Sequence, residues 1–213
     1  MELKYDKIQT TGTDTPLKIV KGHFATNHAH TNYYFDLTTV KSRLSEAGGI
    51  AQALVHMYLY DMIVDTIVCM EGTRSDRNTS CAGADKRRFH VRRTPTRRST
   101  LSNRSSTATA RSCLRTSYRA MINGKNVLIL TATVTTGLTI NKAIEGVQYY
   151  GGIIQGISAV FSALENVNGI PIKSVFGLKD VPDYQYSDYR NCPLCKEGKK
   201  LDALINPYGY SKL

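Results

Sequence analysis

Val127-Leu128-Ile129-Leu130-Thr131-Ala132-Thr133-Val134-Thr135-Thr136-Gly137-Leu138-Thr139 decides how the chain is read. An apolar run of strand length, starting at Val127, ends in a Thr/Gly turn, and a helical pattern follows at Ile140, Ala143, Ile144 and Val147. The spacing predicts strand, loop, helix. In such a unit the first amides of the helix have no intrahelical partner and the helix dipole adds partial positive charge, so a phosphate fits there. Thr135, Thr136 and Thr139 supply hydroxyls, and Gly137 and Leu138 supply backbone amides, the glycine allowing close approach. Taken alone, a Thr/Gly loop is better read as a strand-to-helix turn capped by threonines.

At 213 residues with 41% apolar content, the chain suits one domain, 1–213, with a sizeable core. It has no apolar run of membrane-spanning length, and its first residues lack the apolar core of a signal peptide. No membrane partner and a cytoplasmic location are therefore expected. Five cysteines, an odd number without framework spacing, agree with a reducing compartment. The net charge of +11 is not spread over the chain. Residues 74–119 hold twelve Arg and one Lys against Asp76 and Asp85, while the remainder carries fifteen basic and fifteen acidic residues. A globally basic, nucleic-acid-binding surface is excluded.

Residues 74–119 also contain no Ile or Met, and their few apolar side chains follow no helical or strand period. Inside the stretch Arg outnumbers Lys by twelve to one, and outside it Lys outnumbers Arg by thirteen to two. Two explanations compete. One is a basic, disordered insertion that binds RNA by counterion release. The other is out-of-frame translation between about Arg74 and Ala120, which the abrupt edges and the switch of preferred cation favour.

Ahead of this stretch, Leu17–Phe24 and the run to Asp36 read as two short extended segments around a polar turn. A helix is predicted over 40–60, weakened by Gly48-Gly49 and capped by Thr38 or Thr39, and then a buried strand over Thr66–Met70. His28 and His30 form an H-x-H pair with no third ligand nearby in sequence, so they read as polar loop histidines. After the central motif the helix stops at Gly151-Gly152, and strands follow at 153–161 and 172–178. Cys192-Pro193-Leu194-Cys195 is half of a zinc site or a redox pair. No second CxxC or CxxH completes it, and no metal ligand is assigned. The closing 202–210 should dock on the domain.

The central motif resembles the phosphoribosyl-pyrophosphate motif of the type I phosphoribosyltransferases: four apolar residues, two acidic, two variable, then Thr-Thr-Gly. Val127–Leu130 match its strand and Thr135-Thr136-Gly137 its phosphate loop. Gly22-His23-Phe24, the turn 27–31 and Tyr33-Tyr34-Phe35-Asp36 are similar to the N-terminal segment of the orotate phosphoribosyltransferases within that family. The resemblance implies an α/β fold, a phosphoribosyltransferase-like parallel sheet flanked by helices, with the Arg-rich segment poorly packed within it. It implies phosphate binding at Thr135, Thr136, Gly137, Leu138 and Thr139, a pyrophosphate loop at Glu71, Gly72, Thr73 and Arg74, and base-side candidates at His28, His30 and Tyr34.

The implied reaction transfers phosphoribosyl from its pyrophosphate to a pyrimidine base, with Mg2+ on the pyrophosphate if the chain is active. The resemblance allows a homodimer. The ribose-side acidic pair, however, is replaced by Thr131 and Ala132, and the family's flexible catalytic loop should fall inside the Arg-rich stretch. No catalytic residue is assigned, and activity is expected to be weak or lost. The alternative is a non-catalytic protein of this fold that binds RNA through its basic segment.

Overall fold

The computed structural model describes residues 4–26, 29–58, 62–70, 100–103, 119–206 and 209–213. Strands β1 (Asp6–Thr10), β2 (Thr13–Ala25) and β3 (His30–Asp36) pair antiparallel in sequence order. Helices α1 (Thr38–Ser42) and α2 (Leu44–His56) follow, separated by an extended residue, Arg43. The single helix expected here is thus two. Neither Thr38 nor Thr39 caps it by side chain; the Thr38 amide instead donates to Asp36 Oδ1 at 2.9 Å. Gly49 is not a weak point, because a Cβ there would collide with the Thr15 hydroxyl of β2. The glycine is what lets α2 lie against the strand.

The second sheet contains β4 (Thr66–Cys69), β5 (Thr100–Asn103), β6 (Asn126–Val134), β7 (Ile153–Ser162), β8 (Asn166–Val167) and β9 (Ile170–Gly177). Its order is β5-β4-β6-β7-β9-β8, with every pair parallel except β8–β9. The near-continuous apolar runs of β6 and β7 suit strands covered on both faces. Short α3 (Arg119–Ile122) precedes β6, and α4 (Leu138–Tyr149) connects β6 to β7. A four-residue strand, β5, forms within the Arg-rich stretch, where no period predicted one. Parallel pairing to β4 uses backbone groups and needs no side-chain pattern. Of that stretch, residues 74–99 and 104–118 lie outside the described residues, as do 71–73 before it.

Ile140, Ala143, Ile144 and Val147 of α4 are all buried, at the spacing read from the sequence. They cover one face of the parallel sheet together with Val127, Ile129 and Ile157. On its other face Val160, Phe161 and Phe176 meet α2 and the N-terminal sheet through Leu54, Leu17 and Tyr33. The tail does dock. Strand β10 (Tyr186–Ser187) pairs with β3, β11 (Ala203–Asn206) runs parallel to β2, and β12 (Gly209–Lys212) pairs with β11. Between β10 and β11 come a 3-10 turn, Tyr189–Asn191, and α5 (Pro193–Lys196).

Candidate phosphate-binding site

Chain order across the five parallel strands reads second, first, third, fourth, fifth, so the direction of winding reverses between β4 and β6. Ligands of open α/β sheets bind outside the carboxyl ends of the strands at such a point. The two strands stay adjacent to the end of β4, where the Met70 amide donates to the Leu130 carbonyl at 2.7 Å, and β6 continues beyond it to Val134. Glu71, Gly72, Thr73 and Arg74, which follow Met70, lie outside the described residues.

From the end of β6 the chain turns through Thr135, Thr136 and Gly137 into α4. Gly137 has φ +75, in the left-handed region, and a Cβ there would sit 3.1 Å from Val167 Cγ2 and 3.3 Å from Leu164 Cδ1. Only glycine suits this turn. The first intrahelical bond runs from the Asn141 amide to the Gly137 carbonyl at 2.9 Å, which leaves the amides of Leu138, Thr139 and Ile140 without helical acceptors. No side chain caps the helix and its first turn holds no acidic residue. The capped-turn alternative fails on this point. Leu138 and Thr139 are exposed, so the uncapped end is open to solvent.

Thr131 and Ala132 stand in a different setting from the loop. Strand β6 continues to Val134, so both lie within the sheet; Thr131 is buried and paired in register with Ala159. They line a cleft shared with Lys41, Ile50, Leu54 and Leu130. Burial pushes the Lys41 ammonium below its usual range, partly offset by Asp36. The acidic-pair positions therefore combine no charge of their own with a desolvated cation on the facing helix.

The base-side candidates separate. His28 lies outside the described residues. Tyr34 points away from the parallel sheet into a small core with Phe24 and Tyr210, its ring 5.3 Å from that of Tyr210, and burial drives its phenol far above its usual range. Strand alternation explains the correction, because the neighbours Tyr33 and Phe35 take the opposite face, where Phe35 stacks on Phe161 at 4.0 Å. His30 turns to the tail, with Nδ1 3.2 Å from His23 Nε2 and 3.3 Å from Cys195 Sγ. His23 and the two tail cysteines were not assigned from sequence. An incomplete CxxC together with two histidines flanking one hairpin turn was the available signal.

Orotate phosphoribosyltransferase of Thermus thermophilus is 33% identical over 83 residues, which are 38% of this chain and 43% of that protein. The enzyme of the same name from Caldanaerobacter subterraneus is 32% identical over 80 residues, 37% of this chain and 40% of its own length. The match thus spans under half the length of these curated relatives. Among solved structures, Leishmania donovani UMP synthase superposes with a TM-score of 0.54 at 17% identity, over 76% of this chain and 34% of that one. A Corynebacterium diphtheriae phosphoribosyltransferase gives 0.52 at 18%, over 77% and 90%. No family model matches the chain. The chain is similar over part of its length to orotate phosphoribosyltransferases and shares the fold of these phosphoribosyltransferase structures. Thr135-Thr136-Gly137 of the resembling motif form the turn into α4, and the places of its acidic pair are held by Thr131 and Ala132.

Among the described residues, no helix is long and apolar enough to cross a membrane.

Proposed function

We propose that this chain binds phosphoribosyl pyrophosphate or a nucleoside 5′-phosphate on Thr135, Thr136, Gly137, Leu138 and Thr139, and that its phosphoribosyl transfer to a pyrimidine base is weak or lost. The supporting observation is the helix α4 terminus, uncapped and free of acidic residues behind a left-handed Gly137. Three free amides, threonine hydroxyls and the helix dipole all favour a phosphate dianion.

The ribose side is weaker. Two charge-assisted hydrogen bonds to ribose hydroxyls, at about 1.5–3 kcal/mol each, amount to roughly 3–6 kcal/mol, or about a hundred- to ten-thousand-fold in affinity. Thr131 and Ala132 cannot accept with charge, and they offer no negative field to a sugar cation developing in the transition state. The described loop likewise offers Mg2+ hydroxyls and no carboxylate. In an active form the ion would enter on the pyrophosphate.

Calorimetry with UMP and with phosphoribosyl pyrophosphate, alongside orotate-dependent pyrophosphate release, tests this reading. The natural chain should bind UMP and release no pyrophosphate. Thr131→Asp combined with Ala132→Asp should tighten phosphoribosyl pyrophosphate binding by about a hundredfold or more. Absence of UMP binding by both proteins would remove the proposal.

A further inference from the structure

Four side chains from opposite ends of the chain converge beside the β2–β3 turn. His23 lies near the end of β2 and His30 opens β3, so the hairpin brings the two rings to a centroid distance of 5.1 Å. Cys192 and Cys195 come from the tail. Cys192 precedes α5, Pro193 occupies its first turn, and the three-residue spacing across that turn puts both thiols on one side. Gly198, at φ +73, reverses the chain immediately afterwards, its amide donating to the Cys195 carbonyl at 3.0 Å. The four ligand atoms all lie within 4.8 Å of one another.

Their separations match a metal tetrahedron. With metal–nitrogen bonds of about 2.0–2.1 Å and metal–sulfur bonds of about 2.3 Å, the edges should be about 3.3–3.4 Å between nitrogens and about 3.5–3.6 Å between nitrogen and sulfur. Observed are 3.2 Å from His23 Nε2 to His30 Nδ1, 3.4 Å to Cys192 Sγ and 3.6 Å to Cys195 Sγ, with 3.3 Å from His30 Nδ1 to Cys195 Sγ. Hydrogen bonding alone does not account for the cluster. His23 Nδ1 lies 2.9 Å from the Lys199 carbonyl, which can only accept, so Nδ1 carries the hydrogen. Nε2 then has one lone pair, or one hydrogen if the ring is charged, to serve three neighbours. A cation at the centre satisfies all four atoms at once.

We propose that His23, His30, Cys192 and Cys195 bind one zinc ion in a closed, structural Cys2His2 site that fastens the tail to the N-terminal hairpin. Two thiolates balance the charge of Zn2+, and two sulfurs with two imidazoles in tetrahedral array are a zinc donor set. Four protein ligands leave no open position for substrate, which makes the site structural rather than catalytic. The outer shell is built as well. The Lys199 carbonyl fixes the His23 tautomer, as partners of metal-bound histidines do. The Asp202 carboxylate accepts from the His23 amide at 2.7 Å, and the Asp202 amide donates to the His23 carbonyl at 2.8 Å. Gly22 leaves room for this, since a Cβ there would stand 2.7 Å from Asp202 Oδ2.

The test uses the full chain, purified under reducing conditions and reconstituted with zinc or cobalt(II). One equivalent of zinc should survive dialysis. The cobalt form should show the intense visible band of a tetrahedral site with thiolate-to-cobalt charge transfer. Loss of an outer-shell partner typically costs 10–100-fold in affinity, so loss of a ligand in Cys195→Ser or His30→Ala should cost more than about a hundredfold. Cys195 is exposed and His30 only half-buried, so neither substitution empties a core, and circular dichroism follows the fold in parallel. Three outcomes overturn the proposal: less than about a tenth of an equivalent of zinc in reduced protein, an octahedral cobalt spectrum, or unchanged affinity in both variants. Where a variant does not fold, the cobalt spectrum of the natural chain still decides. Phosphate-site ligands play no part in this readout, so it is independent of UMP binding.

Discussion

Gly137 carries more of the proposed function than any threonine beside it. Its φ of +75 sets the direction in which the amides of Leu138 and Thr139 face, and the side chains of Val167 and Leu164 close the space a Cβ would need. Gly137→Ala should cost about 1–2 kcal/mol in stability from the left-handed backbone, read by urea denaturation. It should weaken UMP binding by more than tenfold, read by calorimetry, because the loop must rotate away from phosphate-binding geometry. Unchanged UMP affinity in a folded variant would show that the loop is not the binding element. Thr131 and Ala132 mark the other side of the same question. Their residue types were visible in the sequence, but not the burial of Thr131 inside β6 or the presence of Lys41 on the cleft they line.

Among the elements, α4 was the most legible. Its apolar period of 3.6, the glycine before it and the glycine pair after it are all local signals. The C-terminal signal proves to be a Schellman cap: the Gly152 amide donates to the Val147 carbonyl at 3.0 Å and the Gly151 amide to Gln148 at 2.9 Å, with Gly151 at φ +75. Gly152 also lets α4, α3 and β6 meet, since its Cβ would lie 2.7 Å from both Ile122 Cγ2 and Val147 Cγ1. Gly152→Ala should therefore destabilise the fold by about 1–3 kcal/mol through overpacking. Chemical denaturation checks it, and a loss below about half a kcal/mol would mean that α3 shifts freely. The strands that escaped the sequence reading are those whose partners are distant. β11 pairs with β2 across the length of the chain, and its apolar run, Ala203-Leu204-Ile205, is only three residues long with Leu204 exposed, too short to mark a strand. The metal-ligand set was illegible for the same reason, since its CxxC and its histidines are joined only by the tail's return to the hairpin.

At the scale of the molecule, the Arg-rich stretch interrupts the chain between β4 and β6, the two neighbours whose ends form the candidate site. The nucleotides encoding 74–119, read in the other two frames, should yield a patterned α/β sequence with isoleucine and lysine restored. If neither frame does, the segment is a basic arm, and RNA affinity should fall steeply with salt in filter-binding measurements. A flat response would remove the RNA alternative. The N-terminal sheet carries a different consequence. Strands β2 and β3 are synthesised well before β10, β11 and β12, which pair along their outer edges or extend the sheet. Until some 180 residues later, the hairpin exposes unpaired amides and carbonyls of the kind that recruit other chains. Completion of this sheet thus waits for the tail, whose docking brings His23 and His30 to Cys192 and Cys195.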